Sequence, residues 1–195
     1  ARVFAMARST DDGHPLDLAD FASVERAADD LLSESDRIDG LIHCAGLFWG
    51  RSGREGGDAG LADYDPAKAE EAARVHAWGP LLLTKKLWPI LPEGSVVGWV
   101  SSAWASITTN DGAYPLVYGA TKAAVVMAAR SVAGDGLRRR IASVVLDPGW
   151  VKTEMGGPDA PLPVERSVTG MIRALDGAAP GPARFARWDG KETAW

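Results

Sequence analysis

The sequence predicts an α/β fold, a doubly wound parallel sheet with helices on both faces. Two observations carry that expectation. Short apolar runs of strand type alternate with segments of helical pattern throughout the chain, and that alternation belongs to parallel sheets covered on both sides. Hydrophobic residues make up 46% of 195 residues, enough for the core of a single domain.

The elements follow in order. Arg2–Ala7 reads as a strand and Asp20–Leu32 as a helix with Asp20 as its cap. Ile38–His43 is a short buried-type strand. Gly50–Gly60 is glycine-rich but lacks Gly-x-Gly-x-x-Gly spacing, and no helix starts directly after it, so it reads as a loop. Pro66–Leu91 is a long helix with Pro66 at its start and Pro92 beyond its end. Pro80 and Pro89 should kink or split it. Ser95–Ser101 is a strand, Pro115–Val132 a helix, Ile141–Leu146 a strand, Val164–Leu175 a helix and Ala183–Trp188 a last strand.

Composition removes several function classes. The net charge of −5 argues against nucleic acid, whose phosphates need a basic patch. The one basic cluster, Arg138-Arg-Arg140, closes a predicted helix and suits its dipole. A single cysteine, Cys44, allows no internal disulfide and no cysteine metal cluster. His14, His43 and His76 show no metal-ligand spacing, so no metal is expected. No unbroken apolar run approaches a membrane span, and no signal peptide is visible at the start. A cytoplasmic setting is expected.

Tyr118-Gly-Ala-Thr-Lys122 carries the chemistry. It lies in an apolar helical segment, where residues four apart share a face about 6 Å apart along the axis. An ammonium beside a phenol favours phenolate, so Lys122 is expected to lower the Tyr118 pKa. The pair then suits proton exchange with a carbonyl–alcohol couple. Upstream, Gly94-Ser-Val-Val-Gly-Trp-Val-Ser-Ser102 is a strand ending in hydroxyls; downstream, Ile141-Ala-Ser-Val-Val-Leu-Asp-Pro-Gly149 is a strand ending in a turn. The three make a βαβ unit with an active-site edge.

These residues resemble the short-chain dehydrogenase/reductase family. His43-Cys44-Ala45-Gly46 looks like the family's Asn-Asn-Ala-Gly segment, and Ser101-Ser102, Tyr118/Lys122 and Pro148-Gly-Trp-Val-Lys-Thr153 follow in family order. Met155–Leu162 and Trp188–Trp195 resemble the C-factor-like and sniffer-type carbonyl reductases. The resemblance implies a Rossmann-like fold and an NADP(H)-dependent reaction between a carbonyl and an alcohol, with NAD(H) as the alternative cofactor. It implies Tyr118 as acid/base, Ser102 orienting the substrate oxygen, and Lys122 tuning Tyr118 and holding the nicotinamide ribose. His76 stands where the family has an Asn and could relay protons. On the cofactor side it implies His43, Cys44, Ala45 and Gly46 as the floor, and Asp17 at the adenine. Arg8 is expected at a 2′-phosphate, since no acidic residue is present there to hold a ribose hydroxyl. Pro148, Gly149 and Val151 are expected at the carboxamide, with Thr153 at the carboxamide or a phosphate.

One family feature is missing from the sequence. The Gly-rich turn between a first strand and first helix does not appear; Ala1 opens into what resembles the second strand. Two readings follow: a longer protein of which this is part, or a protein without that unit. The second keeps open a non-redox acid–base catalyst (cyclase, isomerase or lyase) and a cofactor-less signalling or scaffold role. A small-molecule carbonyl or alcohol is the expected partner. A homodimer is expected as well, because Leu81, Leu82, Leu83, Val125, Val126 and Met127 give two helices more apolar surface than one sheet face can cover.

Overall fold

The computed structural model describes residues 2–10, 13–50, 60–112 and 115–195. The centre of the glycine-rich segment, 51–59, lies outside the described residues. Among the described residues there are six strands: β1 Met6–Ala7, β2 His14–Pro15, β3 Gly40–His43, β4 Val96–Val100, β5 Ala142–Asp147 and β6 Arg184–Arg187. The helices are α1 Phe21–Glu34, α2 Pro66–Ala73, α3 Gly79–Leu87, α4 Leu116–Leu137 and α5 Val164–Asp176. Every pair of neighbouring strands is parallel. The strands form two sheets, β1-β2 and β3-β4-β5-β6. Among the described residues no strand joins them.

Helices cover both faces, as the alternation predicts. Val97, Trp99, Val145 and Phe185 meet Val24, Ala28 and Leu31 of α1, Leu83 and Leu87 of α3, and Val125, Ala129 and Val132 of α4 in one core. Val144, Leu146 and Ala186 point the other way, as strand period demands, onto Met171, Ala174 and Leu175 of α5. That second core is small, and Ile42 stays 48% exposed.

The long helix is split at Pro80. Between α2 and α3 lies a π turn, Arg74–Trp78, in which the Gly79 N–H reaches back to Arg74 O. Pro80 has no N–H to offer one turn back, and its ring crowds that carbonyl; the wider turn absorbs both faults. Gly79 also allows a close crossing, since a Cβ there would stand 2.4 Å from Leu18 O. A short 3-10 turn at Trp88–Ile90, containing Pro89, ends the run.

α4 outlasts the expected Val132 by five residues, to Leu137. Gly136 lets β5 begin close by: a Cβ there would meet Ile141 O at 2.5 Å. By length and apolar composition α4 passes for a membrane span, but about half of it is buried here. In this fold it is the central helix beneath β4 and β5. The Arg138–Arg140 cluster does more than suit a dipole. Arg139 donates to Trp88 O and Leu91 O, capping the neighbouring helical run, and Arg140 pairs with Glu93. The apolar surplus is also smaller than expected. Leu83, Val125 and Val126 lie in the core and Leu81 and Leu82 pack against it. Of the six residues only Met127 stays exposed, at 65%.

Candidate active site

Parallel register brings three strand ends to one edge. His43 pairs with Trp99, and Val100 with Leu146. Cys44–Gly46, Ser101–Ser102 and Pro148–Gly149 therefore leave the sheet side by side.

The two serines do different things. Ser101 Oγ is buried and donates to Lys122 O, fastening β4 to α4. Ser102 Oγ accepts the Trp104 N–H, capping a 3-10 turn at Ala103–Ala105, and is hydrogen-bonded to the Tyr118 side chain. Tyr118 is buried, with Phe48 and Trp104 against it at ring separations of 5.0 and 5.8 Å. Burial pushes the phenol up to about 12; the bond to Ser102 works against this and the Asp147 charge adds to it. This corrects the expectation that Lys122 lowers the Tyr118 pKa. The Lys122 ammonium lies 5.7 Å from the ring centroid and donates to Val100 O at 3.0 Å. Desolvation under the aromatic rings outweighs it. Lys122 is itself only 3% exposed, and burial lowers it to about 8, with Cys44 acting in the opposite sense.

His76 is turned into the same cluster by the π turn. Its Nε2 accepts the Leu47 N–H at 2.8 Å, and its Nδ1 lies 2.8 Å from Thr121 Oγ1. Burial first, then the Lys122 charge, lower its pKa to about 3. Both nitrogens are occupied and the ring is held neutral, which corrects the proton-relay expectation for this residue.

The floor residues divide. His43 turns inward, its ring tilted against Trp99 at 4.5 Å and hydrogen-bonded to Thr84, with burial taking its pKa to about 3. Its side chain is thus part of the core rather than of a cofactor floor, a correction to the sequence reading. Cys44 and Ala45 are exposed at the edge. The Cys44 thiol still rests against protein, which raises its pKa, while Lys122 draws it down. Gly46 sits against the centre: a Cβ there would lie 3.3 Å from Lys122 Nζ and 3.5 Å from His76 Nε2.

The remaining candidates stand further out. Arg8 is exposed just past β1. Asp17 uses its carboxylate to close its own turn, accepting the Ala19 N–H at 2.9 Å. Pro148 O accepts from Ser167, and Gly149 adopts φ +75 beside Trp188. Val151 bridges to Leu162. Thr153 Oγ1 accepts the Gly156 N–H, so its hydroxyl closes a turn.

Sequence reasoning missed Phe48, Thr121 and Asp147. Asp147 is 3% exposed. Its carboxylate accepts the Gly149 N–H at 3.0 Å, the Ala103 N–H and, more loosely, the Thr193 hydroxyl, while its backbone oxygen accepts the Trp188 N–H. Burial raises its pKa against those bonds and the Arg187 charge. A carboxylate directly before Pro-Gly, at the end of an apolar strand, was the available signal. Among the described residues no group of three or more His, Cys, Asp or Glu is placed to hold a metal ion.

Residues 2–169 match the family model described as enoyl-(acyl carrier protein) reductase. C-signal of Myxococcus xanthus is 37% identical over 163 residues, spanning 81% of this chain and 93% of that protein. A carbonyl reductase structure from Pseudomonas aeruginosa is 31% identical with TM-score 0.81, covering all of this chain and 89% of that one. An NADPH-bound carbonyl reductase from chicken fatty liver superposes with TM-score 0.81 at 26% identity, over 93% of this chain and 76% of that one. Fold, site geometry and these likenesses agree: the chain belongs to the short-chain dehydrogenase/reductase family, whose members are NAD(P)-dependent oxidoreductases.

Proposed function

We propose that this chain is an NADP(H)-dependent carbonyl reductase in which Tyr118 gives its proton to the carbonyl oxygen as the alcohol forms. The observation that carries it is the Ser102–Tyr118 hydrogen bond at the sheet edge, with Lys122 buried one helical turn on. The NADPH-bound and other carbonyl reductases among its structural neighbours support the cofactor and the substrate type.

The residues present fit the cofactor. Gly46 leaves its backbone open to close approach beside the Lys122 ammonium. Lys122 directs one N–H to Val100 O, and an ammonium has three, so donors remain for ribose hydroxyls. Arg8 would supply a guanidinium for a 2′-phosphate, and the Pro148–Val151 turn would hold the carboxamide. When bound, NADP(H) supplies the hydride.

The protein's own share is proton placement and shielding. Ser102 shares a hydrogen bond with the phenol and orients the carbonyl oxygen toward it. Phe48 and Trp104 exclude water from Tyr118. With its pKa near 12, the phenol is fully protonated at neutral pH. Reduction consumes that acid form; alcohol oxidation requires phenolate. The phenol without cofactor is therefore available as a proton donor.

The test is incubation with NADPH and a panel of aldehydes and ketones, following nicotinamide absorbance and alcohol product. Stoichiometric alcohol formation supports the reading. NADPH that binds but reduces none of them overturns it. The likeness to C-signal favours a second reading, a signalling protein that keeps the fold; Tyr118→Phe would leave such a role intact.

A further inference from the structure

The Leu47 N–H sets the direction of the hydrogen bonds around His76. The Leu47 N–H can only donate, so His76 Nε2 must accept and carries no proton. In the neutral ring the proton then sits on Nδ1 and points at Thr121 Oγ1. The Thr121 hydroxyl is free to receive it, because its own proton goes to Val117 O at 2.7 Å. Protonating His76 would set an N–H against the Leu47 N–H in a site where the ring is only 2% exposed. The ring is thus a rigid spacer with one end on the Gly46–Leu47 turn and the other on α4, directly before Lys122. Its edge also meets the Tyr118 ring at 5.8 Å, close to perpendicular.

From this geometry we infer that His76 and Thr121 are a pair of positioning residues, which set the spacing between the Cys44–Leu47 turn and the Tyr118–Lys122 face of α4. The inference rests on the reductase reading for its consequence: that turn and that face are two of the surfaces assigned to the cofactor. The pair moves no proton. It fixes where the Gly46 backbone stands relative to Lys122 Nζ. Thr121 had no place in the sequence reading, and His76 acquires a role other than the relay expected of it.

The test uses the full chain in three forms: wild type, Thr121→Val and Thr121→Ser. Valine keeps the shape and removes the acceptor for Nδ1–H; serine restores it. Nitrogen-detected NMR of the protein without cofactor should show His76 as the Nδ1–H tautomer, with no titration between about pH 5 and 8. In Thr121→Val the Leu47 amide resonance should shift and NADPH affinity, by nicotinamide fluorescence, should fall roughly fivefold to tenfold, as for one lost buried hydrogen bond. Thr121→Ser should return both to wild type, and unchanged circular dichroism spectra would show that the fold is intact. Titration of His76 within that range, or an unmoved Leu47 amide in Thr121→Val, overturns the proposal. An NADPH affinity that Thr121→Val leaves unchanged does so too. The NMR arm needs no turnover, so absence of reduction counts against the reductase reading alone.

Discussion

The two ends of the candidate cofactor site are built differently. At the catalytic end Tyr118, Lys122 and His76 are buried, and each is held by at least one named partner: Ser102, Val100 O, and the Leu47 and Thr121 pair. At the nucleotide end Arg8 is exposed, and Asp17 spends its carboxylate on its own turn. Among the described residues β1-β2 forms one sheet and β3-β4-β5-β6 another. Proton placement is thus fixed by packing, where a small displacement is costly. The groups proposed for nucleotide recognition are solvated, and such groups contribute little individually.

The sharpest way to break this comparison is at the catalytic end. Tyr118→Phe removes one oxygen and little packing, so reductase turnover should fall by roughly two orders of magnitude or more. Steady-state rates with an unchanged circular dichroism spectrum check it; undiminished turnover would remove Tyr118 from the mechanism.

A second measurement asks what the nucleotide end can do. Residues 1–195 contain no Gly-x-Gly-x-x-Gly turn, and a pyrophosphate relies on amides at a helix N-terminus. A polypeptide of these residues alone should bind NADPH at least roughly a hundredfold more weakly than one with a Gly-rich strand–helix unit added ahead of Ala1. Calorimetry of the two decides; equal tight binding would show that the unit is dispensable.

Stability gives the third. The fold lowers the Lys122 pKa from 10.5 to about 8, so at pH 7 it holds a charge it disfavours. Each tenfold change in proton affinity is about 1.4 kcal/mol. After allowance for the lost bond to Val100 O, Lys122→Met should stabilise the protein by on the order of 2 kcal/mol at pH 7 while abolishing activity. The folded protein binds this proton less tightly than the unfolded chain does. Wild-type stability should therefore rise from about pH 8 toward 10.5, and the Met variant's advantage should shrink across that window. Urea unfolding at both ends of the range measures it; a constant gap would contradict the assignment. The smallest effect is expected at Arg8. Arg8→Ala should weaken NADPH by roughly threefold to fivefold and leave NADH unaffected, as suits an exposed charge. A change much beyond tenfold would mean that the nucleotide end is better built than its exposure suggests.

What could be read from the sequence was local. Tyr118 and Lys122 share a helix face because they are four apart, Asp20 caps its helix by composition, and Pro80 announces the break in the long helix. What could not be read depends on distant pairing. β2 is two residues long and includes Pro15, so it carries no strand pattern. That the break at Pro80 becomes a π turn, and so directs His76 at Thr121, follows from packing between segments 45 residues apart. The rise in the Tyr118 pKa was hidden for the same reason, because Phe48 and Trp104 come from other loops. Counting apolar residues on a helix likewise exaggerated its free surface, since α3 and α4 pack against more than the sheet.

Asp147 gives the far end of the chain a hold on the reaction centre. Its carboxylate engages the residue after Ser102, the Pro148–Gly149 turn and Thr193, and two residues on Trp195 O accepts the Thr108 N–H while its ring lies against Phe185 and Arg130. Between these anchors and β6 runs an exposed turn, Asp189–Glu192, with a trypsin-type bond after Lys191. A single cut there would separate Thr193 and Trp195 from β6. Local opening is easier once the chain no longer joins these anchors to β6. Limited proteolysis at this turn, far along the chain from Ser102, would loosen the loop that carries it.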